Sequence, residues 1–144
     1  MGSKNKPLID FSKSNIKLVT KSILKNLSPD LLPKKWYSLN KSNSTFGHCH
    51  TASGVFYSIF ASENVHMYRA FDDSSKLVDE SIYHWFILNR HTDEIIDITA
   101  SQYSSHPKLL ENLYKNKEKA GLLGFNYKKR VHVLLDRVKK DLKI

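Results

Sequence analysis

Ser81-Ile82-Tyr83-His84-Trp85-Phe86-Ile87-Leu88, then Asn89-Arg90-His91-Thr92, then Glu94-Ile95-Ile96-Asp97-Ile98-Thr99 stand almost end to end. The first segment is rich in aromatic and β-branched residues, the second is turn chemistry, and the third is apolar apart from its acids, so the stretch predicts a β-hairpin. Strand alternation places His84 with Ile82, Phe86 and Leu88 on one face. A histidine in such company, taken alone, reads as a structural residue bonded to backbone. Asp97 changes that reading, because a carboxylate in an apolar strand is costly unless it is paired. If Leu88 pairs with Asp93 around a four-residue turn, His84 lies opposite Asp97, with their Cβ atoms about 4.5–5.5 Å apart. Asp97 would then accept the Nδ1–H of His84 and leave the other nitrogen free. A one-residue slip would put the two side chains on opposite faces.

Outward from the hairpin, Val65, Met67, Arg69 and Phe71 alternate with His66, Tyr68 and Ala70 as a further strand, and 72–80 reads as a polar connection. Ala52, Val55, Phe56, Ile59 and Phe60 recur at helical spacing, predicting a buried helix from about His50 to Ala61 with Cys49 at its first turn. Ahead of it lie a polar loop, Asn40 to Thr45, and Gly47. Ser14 is placed to cap an earlier helix carrying Ile16, Val19, Ile23, Leu24 and Leu27, which Ser28-Pro29-Asp30 should end. Downstream, Pro107 opens a helix through Leu109, Leu110 and Leu113. Gly121 and Gly124 punctuate, and a last helix carries Val131, Leu134, Leu135, Val138 and Leu142 on one side. The expectation is one α+β domain over 1–144, with 1–9 loose and a small antiparallel sheet packed on the Cys49 helix.

Composition agrees with one globular domain: 144 residues, 40% hydrophobic and 26% charged. No apolar run approaches a bilayer span, and no secretion signal is visible, so neither a membrane nor an export route is expected. Gly2 lacks the acylation context, since Lys6 stands where Ser or Thr is wanted. A single cysteine excludes an internal disulfide and fits a reducing, cytoplasmic setting. The net charge of +9 is uneven. Residues 1–41 carry nine Lys and two Asp, and residues 126–144 carry seven Lys or Arg and two Asp, while the middle is slightly acidic. Such termini solvate helix faces, or give weak, non-specific contact with nucleic acid.

Cys49 enters a buried helix from a polar loop. Backbone N–H groups at a helix N-terminus favour the thiolate, and the same groups can hold the oxyanion of a tetrahedral intermediate. Three segments then resemble known proteins: Gly47-His48-Cys49-His50-Thr51-Ala52-Ser53, His84-Trp85-Phe86, and Asp97-Ile98-Thr99-Ala100-Ser101-Gln102-Tyr103. Their order is similar to the transglutaminase-like branch of the papain superfamily, where His-Ala-Trp and Asp-Pro-Thr pieces take the places of His84-Trp85 and Asp97-Ile98-Thr99. They resemble more closely a group of small, mostly uncharacterised phage and bacterial proteins, the YunG-like group, as does Gly124-Phe125 ahead of a basic helix. The resemblance covers about residues 36–135. It implies a papain/transglutaminase-like fold with Cys49 as nucleophile, His84 as general base and acid, and Asp97 as the orienting carboxylate. Ile98 departs from the transglutaminase proline. No glutamine stands upstream of Cys49 in the papain manner, so the second oxyanion donor is open, with Asn40, Asn43 and the Trp36 indole as candidates.

The expected activity is thiol-dependent hydrolysis or acyl transfer at an amide or ester bond of a substrate the sequence does not name, without a cofactor. Thr99, Gln102 and Tyr103 are expected as architecture beside the site, with a Gln102–substrate contact as the alternative. Two rivals stand against the enzyme. One is a metal site using His48, Cys49, His50, His84 and Asp97, against which neighbouring helix positions diverge. The other is a non-catalytic basic protein that binds nucleic acid or a host protein through Trp36, Tyr37 and the lysine-rich termini.

Overall fold

A computed structural model describes residues 7–61, 63–120 and 129–144. The expectations for residues 1–6, Gly121 and Gly124-Phe125 lie outside the described residues. The fold is α+β, with five α-helices and a four-stranded antiparallel sheet among the described residues. In chain order these are α1 (Lys13–Asn26), α2 (Tyr37–Ser42), α3 (Cys49–Phe60), β1 (Val65–Asp72), β2 (Ile82–Asn89), β3 (Glu94–Ile96), α4 (Pro107–Lys115), β4 (Glu118–Lys119) and α5 (Lys129–Leu142). Short 3-10 turns occupy Pro29–Leu31, Lys34–Trp36 and Ala100–Tyr103. The sheet order is β3-β2-β1-β4.

Period-two alternation gives the sheet two apolar faces. Val65, Met67 and Ile87 turn one way, onto α3, whose Ala52, Val55, Phe56, Ile59 and Phe60 are buried. Behind α3 lie α1, through Val19 and Ile23, and α5, through Val131, Leu134 and Val138. Each such side chain, once fully buried, adds about 1.5–3 kcal/mol. The opposite face carries Ala70 and Phe86 and is covered by Tyr103 and by Leu113 of α4. α3 is thus surrounded, which explains why its sequence is apolar nearly all round. Tethers join the outer helices: Asp141 accepts from Ser22 Oγ at 2.7 Å and Lys25 Nζ at 2.8 Å, and Arg137 donates to Asp30 Oδ2 at 2.6 Å. Among the described residues no helix is long and apolar enough to cross a membrane.

Several boundaries differ from the sequence reading. The α1 cap is Ser12, whose Oγ accepts from the Asn15 N–H at 3.2 Å, not Ser14. Leu24 is 40% exposed, because it falls beyond the stripe that faces α3. Asp72 belongs to β1 and is buried, because the Tyr103 hydroxyl at 2.6 Å and the Ser74 N–H at 3.0 Å satisfy its carboxylate. The hairpin register is also corrected. Asn89 pairs with Glu94, Leu88 with Ile95 and Ile87 with Ile96. Asn89 starts the turn: its side chain accepts from the His91 N–H at 3.0 Å and its carbonyl from the Asp93 N–H at 2.7 Å. Asp93 closes the turn with φ 61°, a conformation Asp tolerates. A four-residue turn displaced by one position moves the register by two, which preserves the faces.

Candidate functional site

β3 ends at Ile96, three residues short of the expected Thr99. Extended further, the ladder would set Asp97 against Phe86; by leaving the sheet there, the chain lets the Asp97 carboxylate reach diagonally to His84, two residues away on the same face. His84 Nε2 and Asp97 Oδ2 are 2.6 Å apart, and both side chains are almost fully buried. The nitrogen used is the reverse of the expectation: Asp97 takes Nε2, and Nδ1 is left for the Cys49 side and for Gln102, whose Nε2 lies 3.4 Å away.

Cys49 is the first residue of α3, and its thiol donates to the Tyr83 carbonyl at 3.7 Å, beside His84 on β2. The turn before it depends on Gly47, at φ 84°. A Cβ there would stand 2.8 Å from Leu32 Cδ2 and 3.0 Å from Trp36 Cε3, so both backbone conformation and close approach require glycine. The polar loop is stitched to the segment after β3: Asn43 Nδ2 donates to the Gln102 carbonyl at 2.9 Å, and Thr45 Oγ1 lies 2.7 Å from Ser101 Oγ. These bonds hold the helix start against the His84–Asp97 pair.

The electrostatics follow from that packing. Burial alone would hold the His84 imidazole neutral, but the hydrogen bonds and charges of Asp97 and Cys49 override it and raise its pKa to about 10. Tyr114, from α4, donates to the same Asp97 Oδ2 at 2.6 Å. Burial and the Asp97 charge push the Tyr114 hydroxyl far above its ordinary range, so it stays a donor. Asp97 Oδ1 is buried with no partner among the described residues. His48, fully buried beside Cys49, has neither ring nitrogen bonded among the described residues, and desolvation lowers its pKa to about 4.

A cleft of about 400 Å³ opens over Cys49, lined by Trp36, Gly47, Tyr83, Trp85 and Gln102 among others. Cys49 is 8% exposed, whereas His84 lies beneath it at 1%. Of the candidate oxyanion donors, Asn40 and Asn43 are not in this cleft. Asn40 Nδ2 is committed to the Ser44 and Phe46 carbonyls, both at 3.1 Å, and Asn43 to Gln102, so both organise the loop. Trp36 and Gln102 do line the cleft; Trp36 Nε1 is buried without a partner among the described residues, and Gln102 Nε2 donates to Thr99 Oγ1 at 2.9 Å. His50 turns to Trp85, with ring centroids 4.7 Å apart, away from buried His48. Among the described residues no group of three or more His, Cys, Asp or Glu could hold a metal ion.

Tyr114 escaped the sequence reading. Its signal was helical phase, four residues after Leu110 on the face of α4 that meets the sheet. Tyr114→Phe keeps the edge contact with Phe86, at 5.1 Å, and removes only the hydroxyl. It is expected to cost about 1.5–3 kcal/mol in urea unfolding, the usual worth of a hydrogen bond to a charged group, and to shift the pH profile of Cys49 alkylation by altering the carboxylate that faces His84. No protein-family model, curated protein or solved structure matches the chain.

Proposed function

We propose that the chain is a thiol hydrolase or acyltransferase acting on an amide or ester bond, built on a papain/transglutaminase-like scaffold. The observation that carries this reading is the buried His84–Asp97 pair beside Cys49, whose thiol donates to the backbone carbonyl next to His84, with only the sulfur of the three reaching an open cleft. In the mechanism, Cys49 Sγ as thiolate attacks the carbonyl carbon and His84, as imidazolium, gives its proton to the departing amine or alcohol. A water or acceptor amine then returns a proton to His84 as it attacks the thioester, releasing the product and the thiolate. Asp97 orients the imidazole and balances its charge. First-turn N–H groups of α3, which have no intrahelical acceptors, are suited to the oxyanion, with the Gln102 amide and Trp36 indole nearby as donors.

The test is acetylation by p-nitrophenyl acetate, with the modified residue located by mass spectrometry. A burst of p-nitrophenol with acetyl on Cys49, faster at neutral pH than from a free thiol of pKa about 8.5 and absent in Cys49→Ala, is the expected result. A rate profile centred on that free-thiol value would overturn the reading. In that event the lysine faces of α1 and α5 favour the binding-protein alternative, which labelled DNA and RNA titrated at two ionic strengths would detect.

A further inference from the structure

The wall of the cleft formed by β1 and β2 is cationic and aromatic. Arg69 lines it, with its guanidinium carbon 4.3 Å from the Tyr83 ring centroid and 5.6 Å from that of Trp85. Its Nε donates to Glu118 Oε1 at 2.9 Å. One bond and two ring faces therefore fix the plane of the guanidinium. Its two terminal nitrogens have no hydrogen-bond partner among the described residues. An arginine used only to brace β4 would need no such stacking in a cleft. A planar fork already immobilised loses little entropy when it grips a carboxylate with two parallel bonds. Arg130, from α5, also lines the cleft and makes no ion pair among the described residues. Among the described residues the one carboxylate lining the cleft is Glu80, which Lys35 already faces at 3.4 Å. Aromatic walls keep water from such a contact and strengthen it.

We propose that the cleft selects acyl substrates carrying a carboxylate a few bonds from the reacting carbonyl, with Arg69 as the clamp and Arg130 as a second cation. This rests on the thiol-acyl reading of Cys49 and assigns it a substrate class. The clamp sets specificity and leaves the bond-breaking step to the buried residues.

The experiment uses two alkylating acids, N-iodoacetylglycine and N-iodoacetyl-β-alanine, each against its neutral amide. Their different lengths set the carboxylate at two distances from the sulfur. The full chain should react faster with at least one acid than with its amide, by about tenfold to a hundredfold, the worth of one charge-assisted hydrogen bond. Arg69→Gln should lower that ratio several-fold, further than Arg130→Gln does, while leaving the amide rates unchanged, which also shows that the site is still folded. Arg130→Gln should lower it partly. Any attraction of the acids to the His84 imidazolium is common to all variants and cancels. Equal acid and amide rates in the full chain, or a ratio untouched by Arg69→Gln, would overturn the proposal. Amide reagents reacting no faster than with free cysteine, alongside an Arg69-dependent preference for the acids, would instead overturn the thiol chemistry and leave the anion clamp standing.

Discussion

His84→Ala is expected to damage the protein twice, in chemistry and in stability. Under the proposed mechanism, removing its general base should lower turnover of any acyl substrate by about 10²–10⁴-fold and slow alkylation of Cys49 to the rate of an unassisted thiol. Removing the partner of a buried carboxylate should cost about 3–5 kcal/mol, because Asp97 would keep Tyr114 alone. His84→Gln separates the effects, since an amide N–H can still donate to Asp97 but cannot carry a proton. It should recover part of the stability, read as a urea midpoint, and none of the rate. The pH dependence follows from the raised pKa. The imidazolium contributes fully below the unfolded value near 6.5, and that contribution is lost as pH rises through about 10.

His48 should act in the opposite sense. Its ring is fully buried with both nitrogens unbonded among the described residues, and its pKa falls to about 4. A depressed histidine leaves the folded state reluctant to take a proton that the unfolded chain accepts. Stability is therefore whole above pH about 6.5 and declines as pH falls toward 4, by about 3 kcal/mol in all. His48→Leu removes both the titration and the unbonded nitrogens. The difference between the urea midpoints of the two proteins should be small at pH 7 and widen steadily toward pH 4.5. A constant difference would show that His48 does not titrate in that window.

The hairpin, the buried helix beginning at Cys49 and the two terminal helices were legible because each carries a clean hydrophobic period. The His84–Asp97 contact was legible for a sound reason reached through a wrong register. Burial demands that an acid among isoleucines find a partner, whereas the pairing itself is set by turn hydrogen bonds of Asn89 that composition does not reveal. The nitrogen facing Asp97 depends on where β3 leaves the sheet, and no pattern in the sequence marks Ile96 as its last residue. Asn40 and Asn43 looked like donors for chemistry because polar loops near a cysteine invite that reading. Their amides are consumed by local carbonyls and by Gln102, a tertiary accounting invisible in one dimension. Tyr114 comes from an element distant in sequence, and a tyrosine on an amphipathic helix is ordinarily core.

The sole cysteine lines an open cleft, which has a consequence under oxidative stress. In the thiolate form that the proposed mechanism uses, it would be open to peroxide, and the first product is a sulfenic acid. The chain offers no second thiol to condense with it, so no internal disulfide can shelter that state. Rescue must come from a small thiol outside the protein or from capture by a backbone nitrogen; otherwise further oxidation to the sulfinic acid silences the residue for good.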